Sequence, residues 1–437
     1  KENGYYTVDC GKTFDARNFK VDSSDYNAND DAKSWSLILH DTGKTSQTGK
    51  PAYYNPGTAD DDVYSDGNIA LNTVNYLKGT LADGKIQFTD ANDARGDKPV
   101  FMAVGFKKPH LPFIAPGQYW DYYTDATKLL PISSATPINP TPYSYTYWDE
   151  LRGYDGIPAK DTSEPAPGDQ PDDEQKTNLV RGYQACVSYI DKLLGDIMTQ
   201  LRDTSNPVNI NNTVIVLWGD QGFHLGDKGQ WCKHTNFDVA TRIPMIIRDP
   251  RVLGGVRLNN VAEALDIYPT LRQLCHLGDA TPSHHLEGKD LSSRLHYGAQ
   301  DEAAHEPHNM AVTEYIRNNG NVIGYSIKDT RFKYTRWYNN VENHINDADN
   351  RRYYVRDFSV CQYEELYDIY HDVDEVENIF AANKDTTLMR DLRMKFMNMV
   401  KNIPGEIHEP NTLLSHYQET QTKEDNSLVI TLKAKMT

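Results

Sequence analysis

Two short stretches of the sequence concentrate side chains that can do chemistry. One, GDQGFHLGDKGQWCKH, holds Asp220, Gln221, His224, Asp227, Lys228, Lys233 and His234; the other, GFKKPHLPF, holds Lys107, Lys108 and His110. Asp220 and the Gln221 carbonyl offer oxygen ligands to a hard cation, while lysines and histidines nearby suit the oxygens of an anion. The combination fits an oxyanion ester, sulfate or phosphate, held between a metal and cations. Singly, such residues are ordinary solvated loop, and a Lys-Lys pair is usually surface. Their weight comes from position, because each stretch follows an apolar strand-like run, VFMAVGF or TVIVLWG.

The elements that must position these residues follow from hydrophobic pattern. VFMAVGF, TVIVLWG and IPMIIRD read as continuous apolar strands, and the first is expected to be buried on both faces of a parallel sheet. Ile69, Leu71, Val74 and Leu77 suit one helix. Leu179, Tyr183, Val187, Ile190, Leu194, Ile197 and Leu201 recur at helical spacing along a second, long one. ALDIYPTLRQLCHLG has helical spacing that Pro269 is expected to break. The Pro- and Tyr-rich connection from Gly117 to Asp173 is expected to wrap the surface rather than enter the core.

Alternating strands and helices predict an α/β fold with a mostly parallel central sheet flanked by helices. Short half-buried strands after about Leu295 predict a smaller antiparallel C-terminal subdomain, dividing the chain into 1–295 and 296–437. In such a sheet ligands bind beyond the carboxyl ends of the strands, where both polar stretches lie.

Composition narrows the partners. The 437 residues carry a formal net charge of −17, which argues against a nucleic-acid backbone as partner while leaving room for a local cationic pocket. No apolar run approaches the ~20 residues of a membrane span. The five cysteines form no CxxC pair, so a zinc site built from them is not expected, and at most two disulfides could form. Asn211-Asn212-Thr213 is a glycosylation sequon, compatible with a secretory route, lysosomal or extracellular.

Five segments in order, VGFKKPHLPF, GDQGFHLGDKGQWCKHTNFDVATRIP, DIYPTL, GYSIKDTRFKYTRW and ELYDIYHDVDEVENI, resemble the sulfatase family of the alkaline-phosphatase-like superfamily. The likeness extends from Gly4 to about Phe380. It implies hydrolysis of sulfate esters on uronic-acid-containing glycans, by a formylglycine made from the Cys of a Cys-x-Pro-x-Arg motif, with calcium as cofactor. By the resemblance Asp220 and Gln221 fall on the later of two metal-binding pairs. His110 and Lys233 match positions that hold the sulfate and the leaving group, and Lys12 matches a lysine that helps neutralise the nucleophile. Lys107, Lys108 and His234 are expected to add to the hold on substrate.

The departures are equally specific. No cysteine here is followed by the Pro and Arg of the motif, and Asp30-Asp31, Asp60-Asp61-Asp62 and Asp172-Asp173 lie in polar stretches rather than after a hydrophobic strand. Asp15 stands where the family usually has His, and Gln221 where it has His or Asn. His suits a general base near neutral pH; Asp15 would place negative charge beside a sulfate. The sequence therefore reads as an N-terminally truncated portion whose nucleophile and first carboxylate pair would come from a companion segment. Alone, it is expected not to turn over. The alternative is a non-catalytic member of the family with a glycan-binding or structural role.

Overall fold

Val8 and Cys10 are fully shielded from water where β1 (Tyr6–Gly11) runs down the middle of a parallel sheet, between β2 (Leu37–Leu39) and β4 (Val100–Gly105). The computed structural model describes residues 3–13, 34–39, 41, 43, 49–79, 97–125, 137–161, 166–206, 208–252, 254–255, 257–277, 286–297, 310–318, 321–346 and 351–400. Asp15 and Asp30-Asp31 lie outside the described residues.

Gly11 pairs with Gly105 at the carboxyl end of this sheet. The two backbones approach so closely that a Cβ on Gly105 would lie 2.0 Å from the Lys12 carbonyl oxygen and one on Gly11, at φ +84°, 2.4 Å from that of Gly105. Only glycine fits both positions. The Lys12 N–H donates to the Gly105 carbonyl at 2.7 Å, so the segments leaving β1 and β4 start side by side.

A two-stranded parallel pair, β3 (Tyr53–Tyr54) and β5 (Phe113–Ile114), lies beside two long helices, α1 (Ser65–Lys78) and α4 (Asp173–Arg202). Between them comes the short α2 (Gly117–Trp120). Asp172 caps α4 reciprocally with Gln175, so the Asp172-Asp173 pair is a helix start rather than solvated loop. The buried stripe of α4 runs through Leu179, Gly182, Cys186, Tyr189 and Leu193, one position away from much of the expected stripe; Val187 is exposed. Gly182 explains the rotation. A Cβ there would sit 2.8 Å from the Trp120 ring, so an aromatic packs where no side chain stands.

The strands after α4 differ from the expected pattern. β6 (Ile215–Trp218) pairs antiparallel with β9 (Met245–Arg248), and between them a tight hairpin forms from β7 (His224–Leu225) and β8 (Trp231–Cys232). Leu217, Trp218 and Ile246 are exposed, as is Phe101 in β4, so these apolar runs are not covered on both faces among the described residues. Pro269 does not break its helix: α6 (Ile267–Leu274) carries it in the first turn, where its missing N–H has no partner to lose.

The Pro- and Tyr-rich connection also departs from expectation. It enters the core, burying Trp148 completely and Leu151 nearly so, around the four-residue α3 (Asp149–Arg152). The Arg152 guanidinium lies 3.6 Å over the Trp148 ring and donates to the carbonyls of Tyr147, Pro158, Ala159, Pro167 and Asp169. One cation thus ties the connection together and holds α3 in place. α5 (Asp238–Thr241) follows the hairpin and α7 (Ser292–Tyr297) follows α6.

The C-terminal part is an antiparallel sheet in the order β10 (Ala311–Arg317), β11 (Val322–Lys328), β12 (Phe332–Asn346), β13 (Arg351–Asp368). After α8 (Phe380–Asn383), α9 (Thr387–Val400) lays Met389, Leu392 and Phe396 against Tyr325, Ile327, Tyr334 and Leu366 of this sheet. Its other side meets the α/β part through buried polar contacts. Glu365 accepts from Thr141 Oγ1 at 2.6 Å, Ser144 Oγ at 2.7 Å and Trp337 Nε1 at 2.7 Å. The fold is α/β, with a parallel sheet and an antiparallel C-terminal sheet.

Candidate active site

Three side chains from three separate segments meet beyond the carboxyl end of β4. His110 lies in the turn leaving β4, Glu150 on α3, and Lys233 just after β8. Lys233 Nζ lies 3.0 Å from His110 Nε2 and 3.0 Å from Glu150 Oε1, which is itself 3.0 Å from His110 Nε2. His110 Nδ1 donates to the Leu111 carbonyl at 2.7 Å, which leaves Nε2 to face the other two groups. In the imidazolium form Nε2–H donates to Glu150; in the neutral ring Nε2 accepts from Lys233. One proton can therefore be held at either atom.

Burial alone would push the Glu150 carboxyl up, but the His110 hydrogen bond and the charges of Lys233 and His110 overcome it and bring it down to about 2. His234 Nε2 stands 3.8 Å from Glu150 Oε2, and the His234 ring stacks on Tyr315 of β10 at 5.5 Å. Burial, the first cause, lowers the His234 pKa despite the Glu150 charge. Glu150 was not legible in sequence: it stands in the Pro- and Tyr-rich connection on a helix too short to give a period.

The Lys-Lys pair is placed differently. Lys108 is partly buried, with its ammonium given to the His110 and Pro112 carbonyls at 3.1 and 2.7 Å; desolvation lowers its pKa. Lys107 Nζ pairs with Asp41 at 2.8 Å. The backbone N–H groups of both lysines donate to Asp66 on α1, at 2.6 and 3.0 Å, which fixes the turn that presents His110. These contacts hold the turn in shape.

The hairpin residues also face inward. His224 is wholly buried, with Nδ1 2.5 Å from Asp227 and Nε2 2.7 Å from Thr235, and Lys228 lies over the Phe237 ring at 4.7 Å. Together they shape the loop that delivers Lys233 and His234. Lys12, at the end of β1, makes no ion pair or side-chain hydrogen bond among the described residues.

Asp220 is exposed, and neither it nor Gln221 is engaged by another described side chain. Calcium takes about six to eight oxygens. Among the described residues no three His, Cys, Asp or Glu side chains converge as a metal site. Asp61 is committed elsewhere, accepting from Tyr119 at 2.9 and 2.8 Å and from Gln118 at 2.9 Å. The residues present therefore do not by themselves fit calcium.

The cysteines are set into the packing. All five cysteines are unpaired, and Cys10, Cys186 and Cys232 have no exposed surface. Burial pushes the Cys10 and Cys186 thiols up to about 12 and raises Cys232, Cys275 and Cys361 as well.

With this geometry in place the class of protein is defined: the chain belongs to the sulfatase family, whose model matches residues 11–277. Among known proteins it is similar to iduronate 2-sulfatase of Mus musculus, 26% identical over 90% of this chain and 77% of the relative. The iduronate 2-sulfatase of Homo sapiens is also 26% identical, over 77% and 69% of the two chains. Two solved structures share the fold. One is a complex with its substrate D-glucosamine-2-N,6-O-disulfate, with TM-score 0.59 and 17% identity over 92% of this chain and 80% of the other. The second is the phosphonate monoester hydrolase of Agrobacterium radiobacter, with TM-score 0.62 and 19% identity over 92% and 78%.

Proposed function

We propose that this site binds a sulfate ester of a sulfated, uronic-acid-containing glycan and serves its hydrolysis. The observation that carries the reading is the convergence of Lys233 Nζ and His110 Nε2 at 3.0 Å beyond a strand end of a sulfatase fold. The similarity to iduronate 2-sulfatases supports the substrate class.

The chemistry of these residues follows from where charge develops. When the ester S–O bond breaks, electrons pass to the departing alcohol oxygen. A proton held at Lys233 Nζ or His110 Nε2 can neutralise that oxygen, and the Lys233 charge and Lys12 can hold the sulfate oxygens. Glu150 fixes the donor pair.

No turnover is expected from this chain alone, since none of its five cysteines stands in Cys-x-Pro-x-Arg; a companion segment with that motif would provide the nucleophile. Those same thiols, and the two lone metal oxygens, favour a second reading, a non-catalytic sulfatase homologue that binds glycan. The exposed Asn211 sequon supports a secretory route, and among the described residues no helix is long and apolar enough to cross a membrane.

The test is peptide mass spectrometry on unreduced material together with an ester-hydrolysis assay. A companion segment carrying formylglycine, with activity, supports the enzymatic reading. A companion segment with that Cys replaced, and no activity, supports the second reading. Robust activity from the 437-residue polypeptide alone overturns the expected dependence on a companion.

A further inference from the structure

We propose that Glu150 is a specificity-determining residue, which tunes the site to esters carrying a single negative charge and disfavours dianions such as free sulfate or phosphate monoesters. The inference rests on the reading of His110 and Lys233 as the ester-binding pair.

Cations cluster here, yet the described carboxylates match most of them. Lys107 is paired with Asp41 at 2.8 Å, Lys233 with Glu150 at 3.0 Å, and Asp66 sits under the turn that carries Lys108. A clamp made for a dianion would leave its ammonium groups facing the ligand. In this site the Glu150 carboxylate shares the Lys233 and His110 donors that a ligand would use. Because it is mostly buried, its charge is poorly screened by water.

A sulfate ester brings one negative charge into this field. Free sulfate and a phosphate monoester dianion bring two, and the second meets repulsion from Glu150. Discrimination of this kind comes from a built-in repulsive element rather than from extra attraction to the preferred ligand. It also favours release of the product, since hydrolysis converts a monoanionic ester into dianionic sulfate. Glu150 Oε2 is buried and accepts no hydrogen bond, with His234 Nε2 3.8 Å away.

The experiment measures two dissociation constants for the full chain at constant ionic strength and pH 7. Methyl sulfate, a monoanion, is followed by saturation-transfer NMR on its methyl group, and sodium sulfate, a dianion, by its displacement of that signal. Wild type is expected to favour methyl sulfate, and Glu150→Gln to shrink that preference about tenfold, mainly by tightening sulfate. Glu150→Asp, which keeps the charge, is expected to retain most of the preference; a role in shape alone would be lost in both variants. If Glu150→Gln does not fold, Glu150→Met must shift the ratio in the same direction.

Lys233→Ala separates the two readings. If it abolishes binding of both ligands while the ratio is unchanged in Glu150→Gln, the site stands and the inference about Glu150 falls. If Lys233→Ala leaves both affinities unchanged, the site reading fails and takes this inference with it.

Discussion

Lys233 Nζ and His110 Nε2 lie 3.0 Å apart although the residues are separated by 123 positions in the chain. Two loops with no sequence relation are thus fixed on one point. The fixing is done from below: Asp66 holds the turn carrying His110, and the His224, Asp227 and Thr235 hydrogen bonds hold the hairpin that leads to Lys233.

Removing the Lys233 ammonium should therefore remove anion binding rather than the fold. Lys233→Ala is expected to weaken methyl sulfate binding tenfold or more, in line with a charge-assisted hydrogen bond of about 1.5–3 kcal/mol. An NMR titration checks it. The thermal midpoint should fall as well, because Lys233 also pairs with Glu150 at 3.0 Å and its loss leaves that carboxylate with His110 as its near partner.

Acid should act through Glu150. Its carboxyl is held at about 2 in the folded chain against an ordinary 4.5, so its contribution to stability is complete above about 4.5 and is lost as pH falls toward 2. That contribution is on the order of 3 kcal/mol. Denaturant melts at stepped pH should show Glu150→Gln losing less stability than wild type across this window.

The thiols give an independent check of packing. Cys10, Cys186 and Cys232 should resist a disulfide reagent in the native chain, while Cys275 and Cys361, partly exposed, react slowly. All five should react at once in denaturant. Fast native reaction of Cys186 would show that the α4 face is not packed as described.

Gly222 tests the loop that follows Gln221. A Cβ there would lie 2.0 Å from the Val239 carbonyl oxygen, a clash that only backbone movement relieves. Gly222→Ala is expected to cost about 2 kcal/mol or more and to lower the thermal midpoint. If the stability is unchanged, the close approach of this loop to α5 is wrong.

Sequence exposed the site where chemistry follows a strand. His110 and Lys233 stand out in the sequence because each comes shortly after an apolar run or its hairpin, whereas Lys12 is singled out by the family resemblance alone. Pattern could not separate a lysine in water from one bonded to carbonyls, and Lys108 is the second kind. His224 and Lys228 looked like ligands for the same reason, yet their partners are a carboxylate and an aromatic ring inside the hairpin. Glu150 gave no local signal at all. Its place is set by Trp148 and Arg152, contacts that exist only once distant backbone has closed around them. Likewise the antiparallel pairing of β6 with β9 depends on strand direction, which an unbroken apolar run does not encode.

The uncovered strands carry a consequence for handling the protein. Phe101, Leu217, Trp218 and Ile246 present large apolar side chains to water, and among the described residues β4 and β6 each have one ladder neighbour. A strand with unmet amide and carbonyl groups beside oily side chains is a template for any other chain in extended form. In a concentrated solution the nearest such chain is another copy. Light scattering that rises steeply with protein concentration, and falls when Trp218 or Ile246 is replaced by lysine, is the expected signature.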